Sequence, residues 1–348
     1  MIETEMSDYT HIGPHARIAV LGAGSWGTAL ASLLALNGHA VRLWARDRAL
    51  VEALLTVREN RRYLNGIALA DAILPTDSLE FALAGAEVVV FAVPSGAVRQ
   101  VAKEAVPFLS SDALLLSAAK GLEGETGLRM SQTLAAVFAD AAPRTVVLSG
   151  PNLALEAARG LPTASVAASI NPTASRAVQR LFLNQSAPTF RIYTGRDVIG
   201  VELGGAIKNV IAIGAGVCDG LGFGDNSKSA LMTRGLSETI RLGVAQGAEQ
   251  QTFLGLSGIG DLMATGASHL SRNWRVGHAL GKGQALADIL AELGQVAEGV
   301  PTTHVLCDLA SRIQVEMPIC TALHAILFED RTPAEVIHSL MLRPPREE

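Results

Sequence analysis

The sequence predicts a doubly wound α/β unit over residues 17–195, followed by an all-helical unit over residues 196–348. Three observations carry this expectation. A short apolar run at 17–21 leads through glycines into an Ala/Leu-rich stretch at 26–36. Apolar runs then alternate with stretches of helical length as far as Gly195. Beyond Asp197 no convincing strand follows. Strands and helices alternating at this spacing build a parallel sheet covered on both faces.

The elements follow in order. The strand at 17–21 (RIAVL) is bounded by glycine, and the helix at 26–36 stops at Asn37-Gly38. A second strand is expected at 40–45. The run EVVVFAV at 87–93, closed by Pro94, reads as a strand buried on both faces. Further strands are expected at 113–117, 145–148, 163–168 and 190–193. Helices are expected at 198–219, 228–248, 274–280, 286–293, 303–312 and 319–328. Thr332-Pro333 reads as an N-cap and first-turn pair opening a last helix at 333–340.

Composition narrows the function classes. With 49% hydrophobic and 18% charged residues among 348, the chain has ample core-forming material and not the profile of a disordered protein. A net charge of −5 gives no nucleic-acid footprint. Three widely spaced cysteines, Cys218, Cys307 and Cys320, fit a reducing compartment better than a disulfide framework. Residues 1–16 are polar, carry Glu3, Glu5 and Asp8, and are expected to form a disordered lead-in rather than a signal peptide. The apolar stretch 203–218 contains Lys208 and Asn209 and has only 16 residues, which favours a buried helix over a membrane span.

The strongest local motif is Gly22-Ala23-Gly24-Ser25-Trp26-Gly27, a G-x-G-x-x-G between a strand and a helix. In that context it is the phosphate turn of a Rossmann-type dinucleotide site. The first glycine makes the turn, the second admits the pyrophosphate, and the third lets helix pack on strand. Other templates fail. Val276 stands where a P-loop ending at Gly281-Lys282 needs glycine, and Ile259 ends what would be G-x-S-x-G. The eight histidines show no metal-ligand spacing.

A dehydrogenase needs a group to take the alcohol proton as hydride leaves carbon. Lys208 is the one charge within 203–218. Burial would lower its pKa and free an amine for general-base work, whereas a snorkelling lysine would stay solvated. Asp261 stands in a glycine turn, as a site acid or as a helix N-cap. Ser271-Arg272-Asn273 offers hydroxyl, guanidinium and amide in succession, either for a phosphate or as an ordinary polar loop. At the end of the second strand, Arg46 is placed to meet a ribose 2′-phosphate, which favours NADP. Asp47, 20 residues after Gly27, keeps an NAD reading open, as does simple solvation of Arg46, Asp47 and Arg48.

Together these residues resemble the bacterial-type NAD(P)-dependent glycerol-3-phosphate dehydrogenase family, from about Arg17 to about Ile319. The matching motifs are GAGSWGTAL at 22–30, Pro94-Ser95, Lys120-Gly121, Ser149-Gly150-Pro151 and Glu202-Leu203 before AIKNV at 206–210. GDNSKSALMTRGL at 224–236, GIGDLMATG at 258–266, SRN at 271–273, VAEGV at 296–300 and Met317-Pro318-Ile319 follow in the family's order. The chain departs from the pattern at Asn65, at Asn152-Leu153 and at Gly266.

The resemblance implies interconversion of sn-glycerol 3-phosphate and dihydroxyacetone phosphate with a nicotinamide cofactor, supplying glycerol 3-phosphate for phospholipid synthesis. It implies Lys208 as proton acceptor and Lys120 as a contact to both cofactor and substrate. Gly150, Asn152, Asp261, Ser271, Arg272 and Asn273 fall on substrate positions. Ser25, Trp26, Arg46, Ala154, Arg272, Val296 and Glu298 fall on cofactor positions. It also implies a cytoplasmic homodimer, with neither metal, nucleic-acid partner nor membrane span. Two alternatives stay open: a related two-domain dehydrogenase of 2- or 3-hydroxy acids, and a non-catalytic NAD(P)H sensor.

Overall fold

The computed structural model describes residues 9–184 and 188–344. An eight-stranded sheet runs in the order β3-β2-β1-β4-β5-β6-β7-β8. Its strands are β1 Arg17–Leu21, β2 Ala40–Trp44, β3 Ile73–Thr76, β4 Val88–Phe91, β5 Leu114–Ser117, β6 Thr145–Ser149, β7 Thr163–Ala168 and β8 Phe190–Gly195. β4 and β5 are buried along their whole length, which is why they read as unbroken apolar runs.

Two features of the sheet differ from expectation. β3 was not foreseen. It holds Pro75 and an exposed Leu74, and only an edge strand tolerates a proline in this way. The β6–β7 pair is antiparallel, whereas every other neighbouring pair is parallel. The helix between them, Ala154–Ala158, has five residues. It spans about 7.5 Å against about 16 Å of strand, so the chain re-enters the sheet at the end it left.

From Val198 onward, the named elements are helical turns. Val198–Gly220 is the central helix, opened by Asp197, whose Oδ1 accepts the Gly200 N–H at 2.8 Å. It has 23 residues, so the length argument against a membrane span fails. By length and composition it could cross a bilayer, yet 83% of its apolar window is buried inside the protein. Its glycines make that burial close. A Cβ on Gly277 of the helix Arg272–Gly281 would collide with the Ile213 carbonyl, and one on Gly216 with the Trp274 carbonyl.

The sequence reading also missed the turns Gln250–Phe253, Leu256–Gly260 (π-type) and Asp261–Gly266. Pro333–Met341 opens with the expected Thr332 cap, completed by Glu335 as a capping box. Of the expected disordered lead-in, residues 1–8 lie outside the described residues. The remainder is packed: Tyr9, Ile12 and Ala16 are buried in the core beside β1, and the Tyr9 carbonyl accepts Arg180 Nη2 at 3.1 Å. Their apolar side chains outweigh the polar average of the segment.

Candidate active site

The glycine turn leaves β1 at Gly22, whose φ is +119° and where a Cβ would lie 2.7 Å from the Ala92 carbonyl oxygen. A Cβ on Gly27 would collide with the Gly22 carbonyl, so that position admits glycine alone. Gly24 caps the helix Ser25–Leu36 without any side-chain bond, and nothing lies within 4 Å of where its Cβ would be. First-turn N–H groups are thus left facing open space, the arrangement that takes a pyrophosphate. The residues present therefore fit a dinucleotide.

The expected adenosine end is at β2. Arg46 is 64% exposed and lies 3.9 Å from Glu104. Asp47 is otherwise engaged: Oδ1 accepts the N–H groups of Ala49 and Leu50, and Oδ2 accepts Arg62 at 3.0 Å. Trp26 packs beside the Phe190 ring, 6.2 Å between centroids. Ala154 opens the helix Ala154–Ala158, and Val296 is exposed.

Beyond the carboxyl ends of β5 and β6 the structure brings Lys120, Lys208 and Asp261 together. Asp261, 1% exposed, sits with Oδ1 2.9 Å from Lys208 Nζ and Oδ2 2.7 Å from Lys120 Nζ. It caps no helix by its side chain; the lysines occupy both oxygens. Lys208 also donates to Thr265 Oγ1 at 2.6 Å, and Thr265 donates to Asp261 at 3.2 Å. Burial lowers the Lys208 pKa to about 8. Asp261 opposes that shift, whereas Lys120 and Arg272 assist it. Burial pushes the Asp261 carboxyl up, but the charges of Lys120 and Lys208 outweigh it and hold the group below its usual range. Lys208 is therefore buried beside its partners and is not a snorkelling residue.

Lys120 further donates to the Gly150 carbonyl at 2.8 Å and approaches Asn152 Oδ1 at 3.5 Å. Asn152 is held by Ser165, whose hydroxyl donates to the same oxygen at 2.9 Å. Asn273 is locked in a network: its amide donates to Asn209 Oδ1 at 2.8 Å and its oxygen accepts the Gly299 N–H at 2.9 Å. Ser271 caps the helix Arg272–Gly281 by accepting the Trp274 N–H. Arg272 alone of this trio presents a charge, and among the described residues its guanidinium is in no ion pair within 4.0 Å. Burial lowers its pKa, against the attraction of Glu298. Glu298 accepts the Ser95 N–H at 3.0 Å and hydroxyl at 2.6 Å, joining the helical half to the loop after β4.

Sequence reasoning gave no role to Thr265 or Asn209. Thr265 had a signal, four residues after Asp261 and hence on the same helix face. Asn209 had only its place beside Lys208. Two surface concavities, about 370 Å³ beside Trp274 and His278 and about 520 Å³ beneath Pro333–Met341, contain neither lysine. Among the described residues no group of three or more His, Cys, Asp or Glu is arranged for a metal ion.

Comparison with known proteins accords with this geometry. Residues 17–175 match the family model described as NAD-dependent glycerol-3-phosphate dehydrogenase N-terminus, and residues 197–338 match its C-terminus. The chain is 50% identical over 332 residues to a glycerol-3-phosphate dehydrogenase (NAD(P)+) of Koribacter versatilis, covering 94% of this chain and 98% of that one. It is 49% identical to the Moorella thermoacetica protein of the same name, over 94% and 96%. A crystal structure of glycerol-3-phosphate dehydrogenase from Coxiella burnetii superposes with a TM-score of 0.90 at 36% identity, over 95% of this chain and all of that one. With its glycine turn, its lysine–aspartate–lysine cluster and full-length similarity of this order, the chain belongs to the NAD-dependent glycerol-3-phosphate dehydrogenase family.

Proposed function

We propose that this protein interconverts sn-glycerol 3-phosphate and dihydroxyacetone phosphate by hydride transfer with NAD(P), supplying glycerol 3-phosphate for phospholipid synthesis. One observation carries the reading: a buried amine titrating near 8, Lys208, shares the Asp261 carboxylate with Lys120 on the loop after β5. A bound nicotinamide supplies or accepts the hydride. Gly22, Gly24, Ser25, Trp26 and Gly27 would hold its pyrophosphate end, with Arg46, Lys120, Ala154, Arg272, Val296 and Glu298 along the rest.

In the reducing direction, the Lys208 ammonium gives its proton to the carbonyl oxygen of the ketone. In the oxidising direction, the neutral Lys208 amine takes the hydroxyl proton. Asp261 holds the two amines in place, and Lys120, tied to Gly150, faces the same substrate. The Arg272 guanidinium takes the phosphate, with Asn273 and Ser271 alongside. The cofactor part is 17–195 and the substrate part is 196–348. Arg46 favours NADPH over NADH, and Asp47, held by its cap and by Arg62, leaves the ribose to it. The free thiols of Cys218, Cys307 and Cys320 fit the cytoplasm. A homodimer completes the reading. The test is NAD(P)H oxidation with dihydroxyacetone phosphate. Turnover supports the reading. Turnover with 2- or 3-oxo acids only, or cofactor binding without turnover, overturns it.

A further inference from the structure

We propose that Glu202, Arg129 and Ser131 form a brace between the sheet and the helical half that fixes the spacing of Lys120 and Lys208, with Glu202 as a positioning residue. The inference rests on the function proposed above. The Glu202 carboxylate accepts Arg129 Nη1 at 2.5 Å, the Ser131 N–H at 2.7 Å and the Ser131 hydroxyl at 2.6 Å. The Arg129 and Glu202 side chains are only 14% and 7% exposed, so these charge-assisted bonds are shielded from water.

Both partners of this carboxylate belong to the segment that carries Lys120. The loop leaves β5 after Ser117, passes Lys120 and folds back through a bridge between Leu122 and Arg129. Glu123 within it is clamped by Arg99 at 2.5 and 2.6 Å. Glu202 lies six residues before Lys208 in the same helix, roughly 9 Å along its axis. The brace thus ties the far end of the Lys120 loop to the element that holds Lys208. At the near end, Asn209 donates to the Lys120 carbonyl only at 3.5 Å, and a Cβ on Gly205 would meet the Lys120 side chain at ordinary contact distance, colliding with the Ser149 hydroxyl instead. Asp261 bonds both amines directly, but with so weak a near-end backbone contact it is the brace that fixes the spacing of the two backbone segments from which those side chains reach the carboxylate. Burial is the main cause of the depressed Lys208 pKa, opposed by Asp261, and the Lys120 and Arg272 charges add to it. A loosened brace therefore lets Lys208 titrate higher.

The experiment compares Glu202→Gln with wild type. The expected result is a loss of about 10²-fold in kcat with dihydroxyacetone phosphate, the size of effect that a small misplacement produces. KM for NADPH stays unchanged, and the inflection of the pH–rate profile moves upward. Labelling of the Lys208 amine with acetic anhydride across pH, read by mass spectrometry, follows the same titration without turnover. Wild-type kcat in Glu202→Gln, or a fallen rate with an unmoved Lys208 titration, overturns the brace. Should Glu202→Gln fail to fold, Ser131→Ala removes one hydroxyl bond and must shift the titration in the same direction by less; no shift overturns the proposal. A wild-type enzyme inactive on dihydroxyacetone phosphate overturns the proposed function, while the labelling still judges the brace.

Discussion

Asp261 lies 2.9 Å from Lys208, and its second oxygen bonds Lys120, so one buried carboxylate serves two cations from different parts of the fold. The charge balance of the cluster is therefore one positive in excess when both lysines are protonated. The cluster can shed that excess through Lys208, whose pKa lies near 8.

Lys208→Ala is expected to abolish turnover while leaving NADPH binding nearly intact. Loss of a positioned acid–base group costs about 10²–10⁴-fold in rate. Steady-state kcat and a fluorescence titration of NADPH check it. Retention of more than roughly a third of kcat contradicts a role of that size.

The pH dependence has a definite sign. Oxidation needs the neutral amine, so kcat/KM for glycerol 3-phosphate rises as pH passes about 8. Reduction needs the ammonium, so kcat/KM for dihydroxyacetone phosphate falls through the same region. Profiles in both directions, with opposite slopes, are the expected outcome; parallel slopes remove Lys208 from the proton path.

Asp261→Asn keeps the shape but leaves two lysines without their counter-charge. Breaking a buried pair in this way costs about 3–5 kcal/mol. The Lys208 amine, deprived of the carboxylate that raises its pKa, should titrate still lower. Chemical denaturation together with the pH profile checks both effects, and wild-type stability would contradict the first.

Arg272→Ala is expected to reduce discrimination between dihydroxyacetone phosphate and dihydroxyacetone, because a buried oxyanion without its guanidinium loses roughly 2–5 kcal/mol. Arg272→Lys should rescue poorly, since an ammonium lacks the two-pronged geometry. Equal losses toward both ketones would point to the cofactor instead.

Arg46→Ala should raise KM for NADPH far more than for NADH. Its ion pair with Glu104, at 3.9 Å, is long and exposed, so the guanidinium is able to turn to a phosphate. A wild-type preference for NADH, or equal losses with both cofactors, sinks this reading.

The sequence by itself determined seven of the eight strands, the change to helices after Asp197, the glycine turn and the isolation of Lys208 in an apolar stretch, leaving its burial open. These are local properties: apolar runs, a turn that admits only glycine at Gly22 and Gly27, and one cation in an apolar helix. The tertiary structure decided what long-range contacts alone can decide. β3, too short and broken by Pro75, exists because β2 offers it an edge to pair with. Asp261 became the partner of two lysines rather than a cap because Lys120, 141 residues away in the chain, is folded against it. Tyr9 and Ile12 are ordered by the core they cover, in a segment whose average composition is polar. Thr265 and Glu202 gained partners for the same reason: a side chain's charge and hydrogen-bonding groups are written in the sequence, but the group that meets them is fixed only when distant segments pack.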